Sequence, residues 1–304
     1  MKNKIEKMVV AVTSRSLFDL EESNKIFGRG TSEEDIKRYR AHQLENENKP
    51  LKEGVAFQLV KKLLKLKKDN KPLVEVVLIS KNDPSTGLRA FNAIKKYKLN
   101  ITRGVFGGGG FRPGYLKAFN VDLFLSAHPA DVREALENGI AAAQILPGKI
   151  KVYGERKIRF AFDGDSVIFD DAAEKVYEKR GLKAFYRSEK FNANNPLNPG
   201  PFKRLLVKIN KIRNTFPLKN NPIRTSLVTA RSAPAHERAI KTLRKWDVYL
   251  NEAFFLGGAD KTPFLDAYHP DIFFDDQKKN VKRASKKVAS AHVPYGIKNR
   301  KNKN

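Results

Sequence analysis

Residues 76–127, VVLISKNDPSTGLRAFNAIKKYKLNITRGVFGGGGFRPGYLKAFNVDLFLSA, and residues 225–276, TSLVTARSAPAHERAIKTLRKWDVYLNEAFFLGGADKTPFLDAYHPDIFFDD, share one register without a gap. At an offset of 149, Leu78 falls on Leu227, Arg89 on Arg238, Ala90 on Ala239 and Lys96 on Lys245. Gly108 and Gly109 fall on Gly257 and Gly258, Leu116 on Leu265, Asp122 on Asp271 and Phe124 on Phe273. The likeness also runs backwards. AVTSRSLFD (11–19) lies over AFDGDSVIFD (161–170) with one residue of slippage, and NKPLKEGVAFQLVKKLLKL (48–66) echoes NNPLNPGPFKRLLVKINKI (194–212). Repetition at one long period means that a single supersecondary unit has been written twice, each copy about 150 residues long.

Each unit reads as α/β. Apolar runs that suit strands (MVVAV, VEVVLIS, VDLFLSA; then IRFAF, TSLVTA, PDIFFDD) alternate with helical patterns (GLRAFNAIKKY, PADVREALENGI; then HERAIKTLRKW, KKNVKRASKKV). That alternation predicts parallel strands with helices on both faces, and it gathers the C-terminal strand ends along one rim, where such sheets bind ligands. The expected division is residues 1–155, with an insert at about 20–72, and residues 156–304, with an insert at about 171–222 and a basic tail at 297–304.

Composition narrows the classes. The chain has 304 residues, 40% hydrophobic and 31% charged, with a formal charge of +27. No apolar run approaches the roughly 20 residues of a membrane helix. MVVAV, near the start, is too short for a secretory core segment and reads as a strand. Cysteine is absent, which removes disulfides, thiolate metal sites and cysteine nucleophiles and fits a cytoplasmic protein. The lysine surplus reads first as solvated helix faces, since VKKLLKLKK spaces its leucines at helical intervals; nucleic-acid binding is the rival reading of the same charge. The five histidines show no metal-ligand spacing, and the glycines at 107–110 lack the Lys-Ser/Thr of a phosphate-binding loop.

The polar residues at the second unit's rim form a chemical set. Asp163 and Asp165 follow one strand, Thr229 ends another, Lys261 follows the Gly257–Gly258 turn, and Asp275 and Asp276 end a third. Several acids at one rim repel one another unless a divalent cation joins them, and magnesium suits oxygen-only ligands. A carboxylate beside such an ion can attack phosphorus, while a second one two residues on can move the proton. Thr229 and Lys261 are candidates to hold phosphoryl oxygens, and Arg231, just beyond Thr229, could reach either phosphate or the acid pair.

These residues resemble the haloacid-dehalogenase superfamily of phosphatases, whose four motifs match DGDSV, the strand ending in Thr229, Lys261 and IFFDD. The strings SRSLFDLEE, FDGDSVIF, LVTARSAP, FFLGGADKTPFL, IFFDD and AHVPYGI, in that order from about residue 8 to residue 298, are similar to the cytosolic 5'-nucleotidases of type I. The resemblance implies a tandem pair of haloacid-dehalogenase-like Rossmannoid units that hydrolyses nucleoside 5'-monophosphates with Mg2+. It makes Asp163 the nucleophile and Asp165 the general acid and base. It makes Thr229 and Lys261 phosphate binders, and Asp276 with Asp275 the metal ligands, alongside Asp163 and the Asp165 backbone carbonyl. A different phosphomonoester substrate would use the same chemistry.

The first unit departs at every chemical position. Thr13 and Arg15 stand for Asp163 and Asp165, Ser80 for Thr229, Arg112 for Lys261, and Ser126 with Ala127 for the acid pair. It is expected to be catalytically silent. Arg15, Ser80 and Arg112, with the glycine run, offer a phosphate site for a nucleotide effector, an idea the resemblance supports because vertebrate relatives respond to ADP; mere packing against the active unit is the alternative. In the second unit the insert is expected to cap the substrate, with Phe191, Asn192, Asn194 and Phe202 as candidates to hold a base, although the aromatics would equally serve a core and NPLNPG a turn.

Overall fold

The computed structural model describes residues 6–28, 32–148, 154 and 157–300. The expected boundary near residue 155 and the last four residues of the basic tail lie outside them.

Ten strands form the main sheet. They are β1 (Met8–Thr13), β2 (Val74–Ser80), β3 (Arg103–Phe106), β4 (Leu123–Ser126) and β5 (Ala142–Ile145), then β6 (Ile158–Phe162), β7 (Ile223–Thr229), β8 (Glu252–Phe255), β9 (Ile272–Asp275) and β10 (Ser290–His292). Six are the expected ones, and β3, β5, β8 and β10 are short ones that the sequence reading did not single out. The ten lie in the order β8-β7-β6-β9-β10-β5-β4-β1-β2-β3. Each half therefore carries the same internal order. Within each half every pairing is parallel, and the central strands are buried along their length, which is why MVVAVT and SLVT do not alternate with polar residues.

The halves join where β10 pairs with β5, Ala291 opposite Ile145 and His292 opposite Gln144, and this pairing is antiparallel. The strands of one half consequently run opposite to those of the other. Their C-terminal rims lie at opposite edges of one continuous sheet.

Helices cover the faces: α1 (Glu21–Phe27), α2 (Glu33–Glu45), α3 (Phe57–Leu64), α4 (Pro84–Lys96), α5 (Pro113–Ala118) and α6 (Pro129–Glu137) in the first half. The second half has α7 (Ala172–Phe191), α8 (Lys203–Arg213), α9 (His236–Lys245), α10 (Thr262–Tyr268) and α11 (Lys278–Ala284). Asp83 caps α4 by accepting from the Thr86 amide, with Pro84 in the first turn, where its missing N–H costs nothing. No helix among the described residues is long and apolar enough to cross a membrane.

Both inserts are smaller than expected. α3 buries Phe57, Leu59, Val60 and Leu63, and α8 buries Leu205, Leu206, Ile209 and Ile212, all in the main core. These helices belong to the body, because their apolar stripes have the sheet to cover. What remains outside is α1 with α2 in the first half and α7 with its following loop in the second.

Small features repeat between the halves. Asp122 accepts the Val9 amide and Asp271 accepts the Arg159 amide, both at 2.9 Å. Ser80 Oγ accepts from the Asn82 amide and Thr229 Oγ1 from the Arg231 amide, both at 3.2 Å. The junction adds a reciprocal exchange: Lys62 on α3 donates to Asp271 at 2.7 Å, while Lys208 on α8 lies 3.8 Å from Asp122. Each half thus supplies a lysine to the other half's aspartate, Asp122 buried and Asp271 partly so.

Candidate active site

The loop after β6 carries the first acids. The Asp163 amide still donates to the Phe274 carbonyl (2.8 Å), so the residue continues the sheet, and Asp163 Oδ1 accepts from the Gly164 amide (2.7 Å). Gly164 lies so close to Thr229 that a Cβ there would stand 3.2 Å from Thr229 Oγ1. The tight loop therefore brings the ends of β6 and β7 together.

Lys261 is buried and bridges two carboxylates, 2.8 Å from Asp163 Oδ2 and 2.6 Å from Asp275 Oδ2. Asp275 also accepts from the Gln277 amide (2.7 Å) and from Asn280. Asp276 differs: its Oδ2 is buried and accepts no hydrogen bond, while its backbone carbonyl is held by His292 and Asn299. One carboxylate oxygen from each of Asp163, Asp275 and Asp276 lies within 4.8 Å of the others. Three buried acids against one lysine leave excess negative charge. Burial, then the charges of Asp275 and Asp165 working against the attraction of Lys261, push the Asp163 carboxyl up to about 7. Burial and the neighbouring Asp275 and Asp163 push Asp276 well above the usual carboxylate range, whereas Lys261 is held more firmly protonated. An unpartnered buried carboxylate oxygen beside two further acids suits a hard divalent cation with oxygen ligands.

Asp165 is not among the three clustered acids and is the most exposed of the four, at 22%. Its carboxylate accepts two parallel bonds from Arg231, Nε to Oδ2 at 2.9 Å and Nη2 to Oδ1 at 2.7 Å.

The family model described as 5'-nucleotidase matches residues 1–300. The chain belongs to that 5'-nucleotidase family. It is 37% identical over 292 residues to human cytosolic 5'-nucleotidase 1B, covering 92% of this chain and 47% of that protein, so it spans about half the length of that curated relative. Among solved structures, histidinol dehydrogenase from Elizabethkingia anophelis superposes with a TM-score of 0.22 and 10% identity, over 94% of this chain and 52% of that one, and carries no argument.

Within the family frame, several expected roles need correction. Arg231 is 1% exposed; besides Asp165, its Nη1 donates to Glu189 and to the Ala235 carbonyl. Its guanidinium is committed to protein acceptors, so of the two alternatives left open for it, phosphate or the acid pair, the structure shows the contact with the acid. Phe202 is fully buried against Phe162 and Phe274, and so is a core residue under α8 rather than a base contact. Asn192 ends α7 and donates to the Ser188 carbonyl, and Asn194 accepts from Lys241. Phe191 stays 86% exposed and is the one aromatic of the four that stands free of the core. Phe202→Ala is expected to cost about 3–5 kcal/mol of stability with KM unchanged in the folded protein; a raised KM at unchanged melting temperature would contradict the core assignment.

At the opposite rim, Thr13, Ser14, Arg15, Ser80, Lys81 and Tyr39 help to line a cavity of about 520 Å3. Ser14 Oγ is buried there without a partner. Arg112 is a correction: it is exposed at the start of α5 and does not line the cavity, and the buried acid beside this rim, Asp131, is paired with Lys81 at 2.7 Å instead. Sequence reasoning also missed Glu189. Its signal was indirect, for Arg238, matched to Arg89 in the repeat, is the second partner of its carboxylate at 2.8 Å.

Proposed function

We propose that the chain is a magnesium-dependent 5'-nucleotidase that hydrolyses nucleoside 5'-monophosphates through an aspartyl phosphate on Asp163. The observation that carries this reading is the buried trio Asp163, Asp275 and Asp276, with an unpartnered oxygen on Asp276, beside Lys261 in a member of the 5'-nucleotidase family. Asp163 and Asp276, with Asp275 and the Asp165 carbonyl, would hold the ion. When bound, Mg2+ offsets the charge of acids and phosphate together.

The protein groups then act in two steps. An Asp163 oxygen bonds to phosphorus as the bond from phosphorus to the 5'-oxygen breaks; that oxygen keeps the electron pair and takes a proton from Asp165. Asp165, now a carboxylate, takes a proton from water, whose oxygen bonds to phosphorus while the bond from Asp163 breaks, and phosphate leaves. Thr229 Oγ1 and Lys261 Nζ donate to the phosphoryl oxygens through both steps. The test is phosphate release from a panel of nucleoside 5'-monophosphates with and without Mg2+. Hydrolysis that needs the ion supports the reading, and release confined to sugar phosphates would replace the substrate class.

The two halves are proposed to be copies of one haloacid-dehalogenase-like unit, divided near residue 155, on the strength of the repeated strand order and the paired bonds of Asp122 and Asp271. A cytoplasmic location goes with the cysteine-free composition. The cavity at the first rim is proposed to hold a phosphorylated effector against Arg15 and Ser80. Arg15→Ala is expected to raise the ADP concentration needed for half-activation about tenfold or more with basal activity unchanged, because that rim faces the other edge of the sheet. Activation at the wild-type ADP concentration would remove the effector reading and leave packing.

A further inference from the structure

We propose that Glu189, on α7, is a positioning residue for Asp165, acting through Arg231. The inference rests on the reading of Asp165 as the general acid and base.

Glu189 is a charged group with no place in the chemistry so far, yet it is 1% exposed. One of its oxygens accepts from Arg231 Nη1 and the other from Arg238 Nη1 at 2.8 Å. Arg231 in turn grips Asp165 with its remaining edge, and the faces of Phe169 and Phe185 pack against the guanidinium, at 5.8 and 5.5 Å. The chain Arg238–Glu189–Arg231–Asp165 alternates in charge and links the helix outside the body to the acid of the rim. A planar guanidinium fixed at one edge offers the other edge in only one orientation.

The first half supplies an internal control. Arg89 there occupies the place of Arg238. It donates to Gln43, 2% exposed on α2, at 3.3 Å, and to the Lys49 carbonyl at 3.4 Å, just as Arg238 donates to Glu189 and to the Asn195 carbonyl. A neutral glutamine therefore suffices to dock this helix. In the same half, Arg231 is matched by Asn82 and Asp165 by Arg15. The charge on the docking residue occurs where the arginine and the catalytic acid occur and is absent where they are absent. Glu189 is thus more than a packing group: it anchors Arg231, so that Asp165 returns to one place between proton transfers.

The experiment is Glu189→Gln, which installs the first half's own residue. First-turnover rates are measured with Mg2+ on AMP, whose leaving oxygen needs a proton, and on p-nitrophenyl phosphate, whose leaving group does not. The expected result is a loss of about 10- to 100-fold on AMP, part of what general acid catalysis contributes, with the p-nitrophenol burst retained and KM unchanged for both. Equal losses on the two substrates would overturn the inference and make Glu189 merely structural. Should this variant not fold, Arg231→Lys, which keeps charge but loses the two-pronged grip, is read by the same criterion. Asp165→Asn serves as the reference: if it too fails to separate the two substrates, the role given to Asp165 is wrong, and the inference falls with it for that identifiable reason.

Discussion

Asp163→Asn is expected to lower kcat for nucleoside monophosphates by at least ~10³-fold, the scale of removing a nucleophile, without unfolding the protein. The amide keeps the shape of the carboxyl; its one oxygen can accept from the Gly164 amide or from Lys261 but not both, and Lys261 retains Asp275. Stability should not suffer either. A carboxyl raised to about 7 in the folded state, against about 3.9 when unfolded, contributes stability that is complete below the lower value and is lost as pH rises through the upper one. At pH 8 the metal-free wild type bears the whole of that loss, and the variant does not. Its melting temperature without Mg2+ should therefore equal or exceed that of the wild type. Residual activity above about a hundredth of wild type would unseat Asp163 as nucleophile.

Lys261→Met is the second large effect, and it falls on stability as well as on rate. The lysine is the only cation within bonding distance of both Asp163 and Asp275 among the described residues, and removing one partner of a buried ionic set costs about 3–5 kcal/mol. The cost should depend on pH in a defined direction. Toward pH 5 Asp163 takes up a proton, the lysine has less to neutralise, and the gap to wild type closes. Above pH 7 Asp163 ionises and the gap opens, unless Mg2+ is present to narrow it. Urea unfolding of both proteins at pH 5 and pH 8, with and without Mg2+, reads this directly. A deficit of the same size at both pH values would mean that Lys261 matters for its packing alone.

Much of this was legible because two long segments of the chain share one register. A shared register over residues 76–127 and 225–276 required shared strands and helices, and the acids at strand ends marked the rim where Asp163, Asp275 and Asp276 gather. The short strands RGVF and EAFF were harder to see, since they lie at the sheet edges and keep polar or exposed residues. The inserts were overestimated because a gap between motifs does not reveal which helix in it finds the sheet; only packing separated α8 from α7. Phe202 illustrates the point, an aromatic whose neighbours in sequence suit a ligand and whose neighbours in space are Phe162 and Phe274. For Arg231 the sequence left phosphate and the acid pair open as partners, and only packing brings it onto Asp165 and Glu189.

The exchange of lysines across the β5–β10 junction bears on how the chain could be cut. A fragment holding only the first half would leave Asp122 without Lys208 and expose the edge of β5, and the complementary fragment would leave Asp271 without Lys62 and expose β10. Buried or partly buried acids without cations and open strand edges both favour reassociation. Separately produced halves should thus be poor folders alone yet recover one another when mixed, as a split protein in which each piece is needed to fold the other.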